Sequence, residues 1–434
     1  YSLLDKYLVT ATMRVDGSSR FGEGNKFGYF PSMALAWRIS EEPFLKQTDF
    51  MSDLKLRISY GSTGNQEIGN YNSLMLLGVV GRAVFDDIDY VGIATDQMPN
   101  PSLKWETTRQ FDAGVDFSIL NDRISGSLDY FIKNTSNLLY NLPIPPSSGF
   151  TTSLQNVGDI RNSGFEFSIT SRNLTGELGW TTTFISSTLK NEVINLGELG
   201  EIYQGGFAFA YDVSILKVGF PMNSYYGYVV EGIFQSEEEI SGSAQPTAKP
   251  GDLRFMDTNN DGAITISDRT ILGDPFPNIS LGMNNTLTYK GFELDIFLES
   301  TLGNELLNGE IKASETPIEL VRNRLSYVQD RWTSDNRDSK NPSFVSINNT
   351  YAMNSRVIEN ASFLRLKILR LSYTVPWDKV RSLNIYVTGQ NLFTLTNYTG
   401  YDPDVSSLGN SEIRVDYGAY PRARIYTFGL SIGL

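Results

Sequence analysis

Cysteine and histidine are both absent from the 434 residues. Without cysteine there is no disulfide, no thiolate nucleophile and no thiolate-held metal. Without histidine the commonest general base and transition-metal ligand are missing. Hydrolysis by a Ser-His-Asp triad or by a zinc centre is therefore excluded within the chain. Cations are also scarce, with 36 Lys and Arg against 49 Asp and Glu and a net charge of −13. Nucleic acid is excluded as a partner, because phosphate binding needs clustered Lys and Arg. No apolar run reaches the roughly eighteen residues of a membrane-crossing helix. The opening YSLLDKYLVT has neither the basic start nor the apolar centre of a signal peptide. It begins in mid-pattern, as expected of a segment cut from a longer chain.

What the sequence does contain is period-two alternation. In FDAGVDFSI, Phe111, Ala113, Val115, Phe117 and Ile119 share one face, with Asp112, Gly114, Asp116 and Ser118 on the other. After LNDR, the stretch ISGSLDYFI repeats the scheme through Ile124, Gly126, Leu128, Tyr130 and Ile132. FELDIFLES, LNIYVTGQN and the closing segment Tyr426, Phe428, Leu430, Ile432 and Leu434 follow it too. About a dozen such strands are expected, many reaching the 9–11 residues that cross a bilayer. They come in hairpins with two kinds of connection. LNDR, NLTGE and YKG are short, whereas Gly64–Lys104, Asn191–Ile279 and Leu302–Ser362 are long. Short turns at one end and long loops at the other mark an outer-membrane barrel. A soluble sandwich alternates as well, with its apolar face on a core. Two features favour the membrane: aromatics near strand ends (Tyr130, Trp180, Tyr289, Tyr373, Trp377, Tyr426), and acids on the polar face such as Asp129, Glu293 and Asp295.

Longer blocks carry a family likeness. DKYLVTATMRVDGSSRFGEGNKFGYFPSMALAWRISEEPF, NPSLKWETTRQFDAGVDFSILNDRISGSLDYF, NVGDIRNSGFEFSI, KPGDLRFMDTNNDG, DRTILGDPFPNISLGMNNTLTYKGFELDIFLES and IYVTGQNLFTLTNYTGYDPDV follow one another end to end. In that order they resemble the barrel of SusC/RagA-type TonB-dependent outer-membrane transporters. The resemblance implies an all-β fold, the C-terminal part of a large plugged antiparallel transmembrane β-barrel with long extracellular loops and short periplasmic turns. Such transporters have 22 strands and a plugged lumen. It further implies residence in the Gram-negative outer membrane, in Bacteroidota, and import of oligosaccharides or peptides. A SusD/RagB-like surface lipoprotein would act as lid, and TonB would supply energy through an N-terminal region. The plug and TonB box have no counterpart in residues 1–434, and no enzymatic activity is implied. The rival readings are a passive porin and a soluble, calcium-stabilised carbohydrate-binding β-protein.

One motif stands out locally. In DTNNDGAITISD, Asp257, Asn259 and Asp261 occupy positions one, three and five of an EF-hand-type loop, and Gly262 supplies the turn at six. Ala263 would offer its carbonyl, Thr265 would sit at nine, and Asp268 would close the site at twelve. Ca2+ is the one cofactor expected, with no organic cofactor. The alternative is a polar turn held by Asx hydrogen bonds. Upstream QPTAKPGDLRF, with two prolines, cannot be an entering helix, so calcium would clip a loop rather than signal. Tyr203, Phe207, Phe209 and Tyr211 in GEIYQGGFAFAYD, and Trp332 in RWTSDNRDS, are expected to meet substrate or lid, against the alternative of packing within their own loops. GEGNKFG lacks the spacing of a phosphate loop. The acids Glu237, Glu238 and Glu239, and likewise Asp86 and Asp87, read as solvated groups rather than a glycosidase pair; SEEEI reads equally well as a short helix.

Overall fold

The structure, a computed structural model, describes residues 1–46, 48–207, 210–315, 323–343, 353–377, 380–405 and 414–433. Twelve strands of nine to seventeen residues make up most of its main sheet. They are β1 (Tyr7–Gly17), β2 (Phe27–Arg38), β3 (Met51–Asn65), β4 (Glu106–Ile119), β5 (Ile124–Ser136) and β6 (Asp159–Thr175), followed by β7 (Leu178–Thr188), β8 (Ile279–Tyr289), β9 (Phe292–Leu302), β10 (Phe363–Val375), β11 (Ser382–Thr396) and β12 (Ile425–Gly433). The chain divides into two compact units, Tyr1–Ile169 with Lys190–Gly200, and Thr170–Leu189 with Glu201–Leu434. Within each unit consecutive long strands are neighbours.

Register carries the sequence alternation across the strands. In the first unit Tyr7 opposes Trp37, Trp37 opposes Leu56, Leu56 opposes Val115 and Val115 opposes Leu128. In the second, Leu287, Leu294, Leu371, Val387 and Phe428 form a similar row. This face is uncovered. Met13, Tyr29, Met33 and Tyr60 in one unit, and Leu371, Tyr426, Phe428 and Ile432 in the other, leave half or more of their surface exposed. A sandwich would bury these residues against a second sheet. An uncovered apolar face is what a hydrocarbon solvent requires.

Connections alternate between the two strand ends. The links 39–50, 120–123, 176–177, 290–291 and 376–381 lie at one end, and the links 18–26, 66–105, 137–158, 189–278, 303–362 and 397–424 lie at the other, which carries all the connections longer than twelve residues. The turn 120–123 places Leu120, Asn121 and Asp122 at positive φ, a conformation Asn and Asp tolerate because their side chains bond locally. Two long connections, 137–158 and 397–424, are not apparent from the alternation alone. The turn read as NLTGE shrinks to 176–177, because β6 runs on through Thr175. Of the aromatics expected near strand ends, Tyr289 and Tyr373 lie beside the short turns, where Phe292 joins them with its ring 4.4 Å from that of Tyr373. Tyr130 does not: it lies mid-strand against Phe165.

The tightly packed apolar residues lie among the long connections. In the first unit Phe21, Phe30, Ile68, Leu103 and Trp105 cluster, with Trp105 in ring contact with Phe21 and Phe30. Gly22 is forced there, since a Cβ would meet the Pro101 carbonyl oxygen at 1.8 Å. In the second unit Val213, Tyr225, Leu307, Met353, Val357 and Val415 form a core drawn from three connections. The hydrophobic effect thus orders the connections, while the strands rely on backbone pairing.

Val115→Lys tests the medium. Near the middle of β4, a lysine on the apolar face should cost about 2–4 kcal/mol in a bilayer. Assembly of the full-length protein into outer membranes, followed by heat-modifiable electrophoretic mobility, should fall sharply, while Ser127→Lys on the opposite face should assemble normally.

Candidate functional site

The polar face of the first unit is a hydrogen-bonded ladder. Arg57 on β3 grips Asp116 on β4 in bidentate fashion, with Nε to Oδ2 2.8 Å and Nη2 to Oδ1 2.7 Å. It also reaches Asp129 on β5 at 2.8 Å, and Lys55 joins Asp116 at 3.2 Å. Gly114 makes this possible, because a Cβ there would lie 2.0 Å from the Asp129 carboxylate. Asp112 accepts from Ser59 and Gln110. Beside it lies a hollow of about 380 Å³ lined by Thr10, Thr12, Arg14, Thr108 and Asp112. Paired charges and hydroxyls facing away from the apolar side form a wall suited to a wet lumen.

In the second unit an ion network ties a long connection to the sheet. Arg365 on β10 is 1% exposed. Its guanidinium donates to Asp402 at 2.6 Å, to Asp404 at 3.4 Å and to Thr394 at 3.0 Å, and lies over the Phe363 ring. Asp404 also pairs with Arg422 at 2.6 Å, and Asp402 accepts from the Arg422 amide. The segment YDPDV thereby anchors connection 397–424 on β10. Tyr398 continues the attachment by donating to Asp416 at 2.7 Å; burial, then the Asp416 carboxylate, push its hydroxyl well above the ordinary range. None of these residues was singled out from sequence. Three acids or bases in spacing suggest nothing until the loop folds back on the strand.

The Asp257–Asp268 loop is closed by its own hydrogen bonds. Asp257 accepts from the amides of Asp261 and Gly262, Asn259 from Asp261, and Asp261 from Ala263. Asn260 and Gly262 take positive φ. Thr265 and Asp268 do not turn toward these groups. They cap the short helix Ile266–Asp268 reciprocally, and fully buried Asp268 accepts from the amides of Thr258 at 2.9 Å and Thr265 at 2.7 Å. Among the described residues no group of three or more acidic side chains is gathered as a metal site. Burial works to raise the Asp268 carboxyl, but the Thr265, Thr258 and Asn259 amides outweigh it and hold the group below its usual value. SEEEI forms the helix Glu237–Ser241, capped by Ser236.

The expected contact aromatics separate. Tyr203 is 40% exposed, donates to Glu201 and packs against Tyr226 with ring centroids 5.5 Å apart. Phe207 and Tyr211 lie in adjacent paired strands, while Phe209 lies outside the described residues. Trp332, in connection 303–362, meets connection 189–278: its indole donates to Gln235 at 2.9 Å, and its ring lies against Gly251.

Strands with one uncovered apolar face, a charged wall opposite and large connections at one end define an outer-membrane β-barrel segment. The chain belongs to the TonB dependent receptor-like β-barrel family, whose model matches residues 1–424. It is 35% identical over 454 aligned residues to TonB-dependent receptor P3 of Formosa agariphila, covering 100% of this chain and 44% of that protein. It is 33% identical over 456 residues to TonB-dependent receptor SusC of Bacteroides thetaiotaomicron, covering 100% of this chain and 42% of that one. The solved RagAB peptide transporter superposes with a TM-score of 0.81 at 26% identity, over 98% of this chain and 46% of its own. The chain therefore spans less than half the length of these relatives. They are receptors and transporters of the outer membrane, not enzymes, and the two source organisms are Bacteroidota.

Two tests follow from the site. Removing Arg365 leaves Asp402 buried without its partner, which costs about 3–5 kcal/mol when a buried pair is broken. Arg365→Met should make connection 397–424 sensitive to limited proteolysis, and adding Asp402→Asn should restore part of the resistance. Asp268 has a lowered folded value, so its contribution is full above the unfolded value near 3.8 and is lost as pH falls through the folded one. Hydrogen exchange of residues 254–270 should stay slow at pH 5 and accelerate selectively, relative to the β8–β9 hairpin, only as pH is lowered below the ordinary aspartate value of 3.8.

Proposed function

We propose that this chain is the C-terminal barrel portion of a TonB-coupled outer-membrane importer of oligosaccharides or peptides. An N-terminal plug and TonB-contacting region would complete the protein, and a SusD/RagB-like surface lipoprotein would close its mouth. The observation that carries the reading is the division of labour along the chain. Bilayer-length strands present paired charges on one face, and among the described residues the packed cores are drawn chiefly from the long connections. A passive pore needs the strands but not connections folded into sheets and buried clusters of their own.

The long connections are the parts that meet cargo and lid. Within them the Tyr203–Tyr226 pair supports an aromatic contact, because an exposed ring beside a second one offers a stacking face to a sugar or a peptide side chain. Calcium, if it enters the Asp257–Asp268 loop, would use Asp257, Asn259, Asp261 and the Ala263 carbonyl. Binding would be structural, and terbium luminescence of the purified transporter would report it directly, with loss in Asp257→Ala.

Uptake decides the main reading. Cells carrying the full-length protein and its neighbouring lipoprotein are supplied with labelled oligosaccharides or labelled oligopeptides, with and without functional TonB. Accumulation of one class should collapse when TonB is lost. Uptake that persists undiminished without TonB would identify a passive pore instead.

A further inference from the structure

In the first unit the lipid-facing row of apolar residues stops at one level. On β4 it runs Phe111, Ala113, Val115, Phe117 and Ile119, and on β5 it runs from Ile124 to Ile132. Phe111 opposes Ile132 and, on β3, Tyr60. The next pair on that face is Arg109 opposite Asn134, with Ser62 opposite Arg109 on β3. Each lies two residues beyond the last apolar one, so the same outward face is kept. On β6, Phe165 and Phe167 give way to Ser163 and Arg161. Arg161 shares the face: its Nε donates to Asn134 Oδ1 at 2.8 Å, and Phe165 packs on Tyr130 of β5.

Height and charge single this level out. Phe111 to Ile119 spans about 27 Å along the strand, or about 21 Å of height at a tilt of about 40°, close to the ~25 Å apolar band of such barrels. Arg109 and Arg161 therefore stand at headgroup level. They lie at the end where connections 66–105 and 137–158 leave the strands, which is the extracellular end. Both are exposed. The Arg109 guanidinium has no ion pair or hydrogen bond among the described residues, and the terminal nitrogens of Arg161 have no acceptor there. The nearby acids are taken up elsewhere. Glu192, opposite Arg161, is held by Lys190 at 2.7 Å, and Asp159 accepts from the Asn137 amide at 3.3 Å and from Asn195 at 3.4 Å. Two arginines thus face the membrane boundary without a counter-charge, in a chain whose net charge is −13. Their strands are about 10 Å apart, and Asn134 draws Arg161 into the gap.

We infer that Arg109, Asn134 and Arg161 form a headgroup site for a phosphate of an outer-leaflet phosphoglycolipid. Arginine presents paired N–H donors that match two phosphate oxygens, while its aliphatic stem lies along apolar surface. The Asn134 amide nitrogen adds a further donor. Below them Tyr60, Phe111 and Phe165 offer exposed rings to the acyl chains. The inference depends on the outer-membrane barrel and not on TonB coupling, lid or cargo.

The test uses the full-length transporter, purified from outer membranes and freed of lipid by detergent exchange. It is titrated with lipid A bearing its phosphates, with the same lipid dephosphorylated, and with inorganic phosphate. Phosphorylated lipid A should raise the temperature at which the barrel loses its heat-modifiable mobility. The dephosphorylated lipid should bind about tenfold or more weakly, as loss of hydrogen bonds between charged groups does. Arg109→Gln combined with Arg161→Gln should erase that preference. Lys133→Gln, one residue from Asn134 but on the opposite face against Phe131, should keep it. Equal binding of the two lipids by the wild type overturns the site, and this comparison stands even where a variant fails to assemble. A preference retained by the assembled double variant overturns the assignment to these arginines. Stabilisation by inorganic phosphate as strong as by the lipid would make this a free-anion site and overturn the lipid headgroup.

Discussion

In hydrocarbon every backbone N–H and C=O must find its partner within the protein, and that requirement organises this chain. A strand meets it only through its neighbours, so long antiparallel pairings come first and side chains are sorted afterwards. The sorting is visible in the continuous rows that run from Tyr7 to Leu128 and from Leu287 to Phe428. Apolar groups on those rows gain little from one another by exclusion of water. Their role is to be tolerated by lipid, and aliphatic Leu and Val stand beside aromatic Tyr, Trp and Phe along them.

The opposite face obeys different rules. Arg57 with Asp116 and Asp129 forms a half-exposed ladder. Screening by water keeps the energy of such pairs modest, so they furnish a polar surface more than stability. Arg365 is the exception. Its guanidinium is withdrawn from water and surrounded by Asp402, Asp404, Thr394 and the Phe363 ring. Removing both charges together would disturb the fold less than removing one. The value of the network lies in fixing where connection 397–424 returns to the sheet.

Hydrophobic burial does its ordinary work in the connections. Tyr225, Leu307, Met353 and Val415 come from segments far apart in sequence, and Tyr225 reaches across to the Arg414 carbonyl. The hairpin 77–95 is the contrasting case, ordered in its own ladder with its apolar side chains largely exposed. Connections with internal cores can act as rigid walls.

By itself the sequence determined the strands, their two faces and the ends at which long connections lie. Period-two alternation is a local property that survives any tertiary context, and LNDR or YKG needs only the turn chemistry of Asn, Asp and Gly. The family likeness extended that reading to the membrane. The connections were legible only in extent. The calcium-type spacing from Asp257 to Asp268 was correct as a loop signal, but spacing does not say where a carboxylate points. Asp268 is drawn onto the Thr258 and Thr265 amides by a cap that forms only when the turn closes. Trp332 was read as the one aromatic of a polar loop, and its neighbours Gly251 and Gln235 come from a distant segment that the sequence does not place beside it. Arg365 with Asp402 and Asp404 was invisible for the same reason: a pair separated by a strand and a loop acquires meaning only when the chain folds back and expels the water between them.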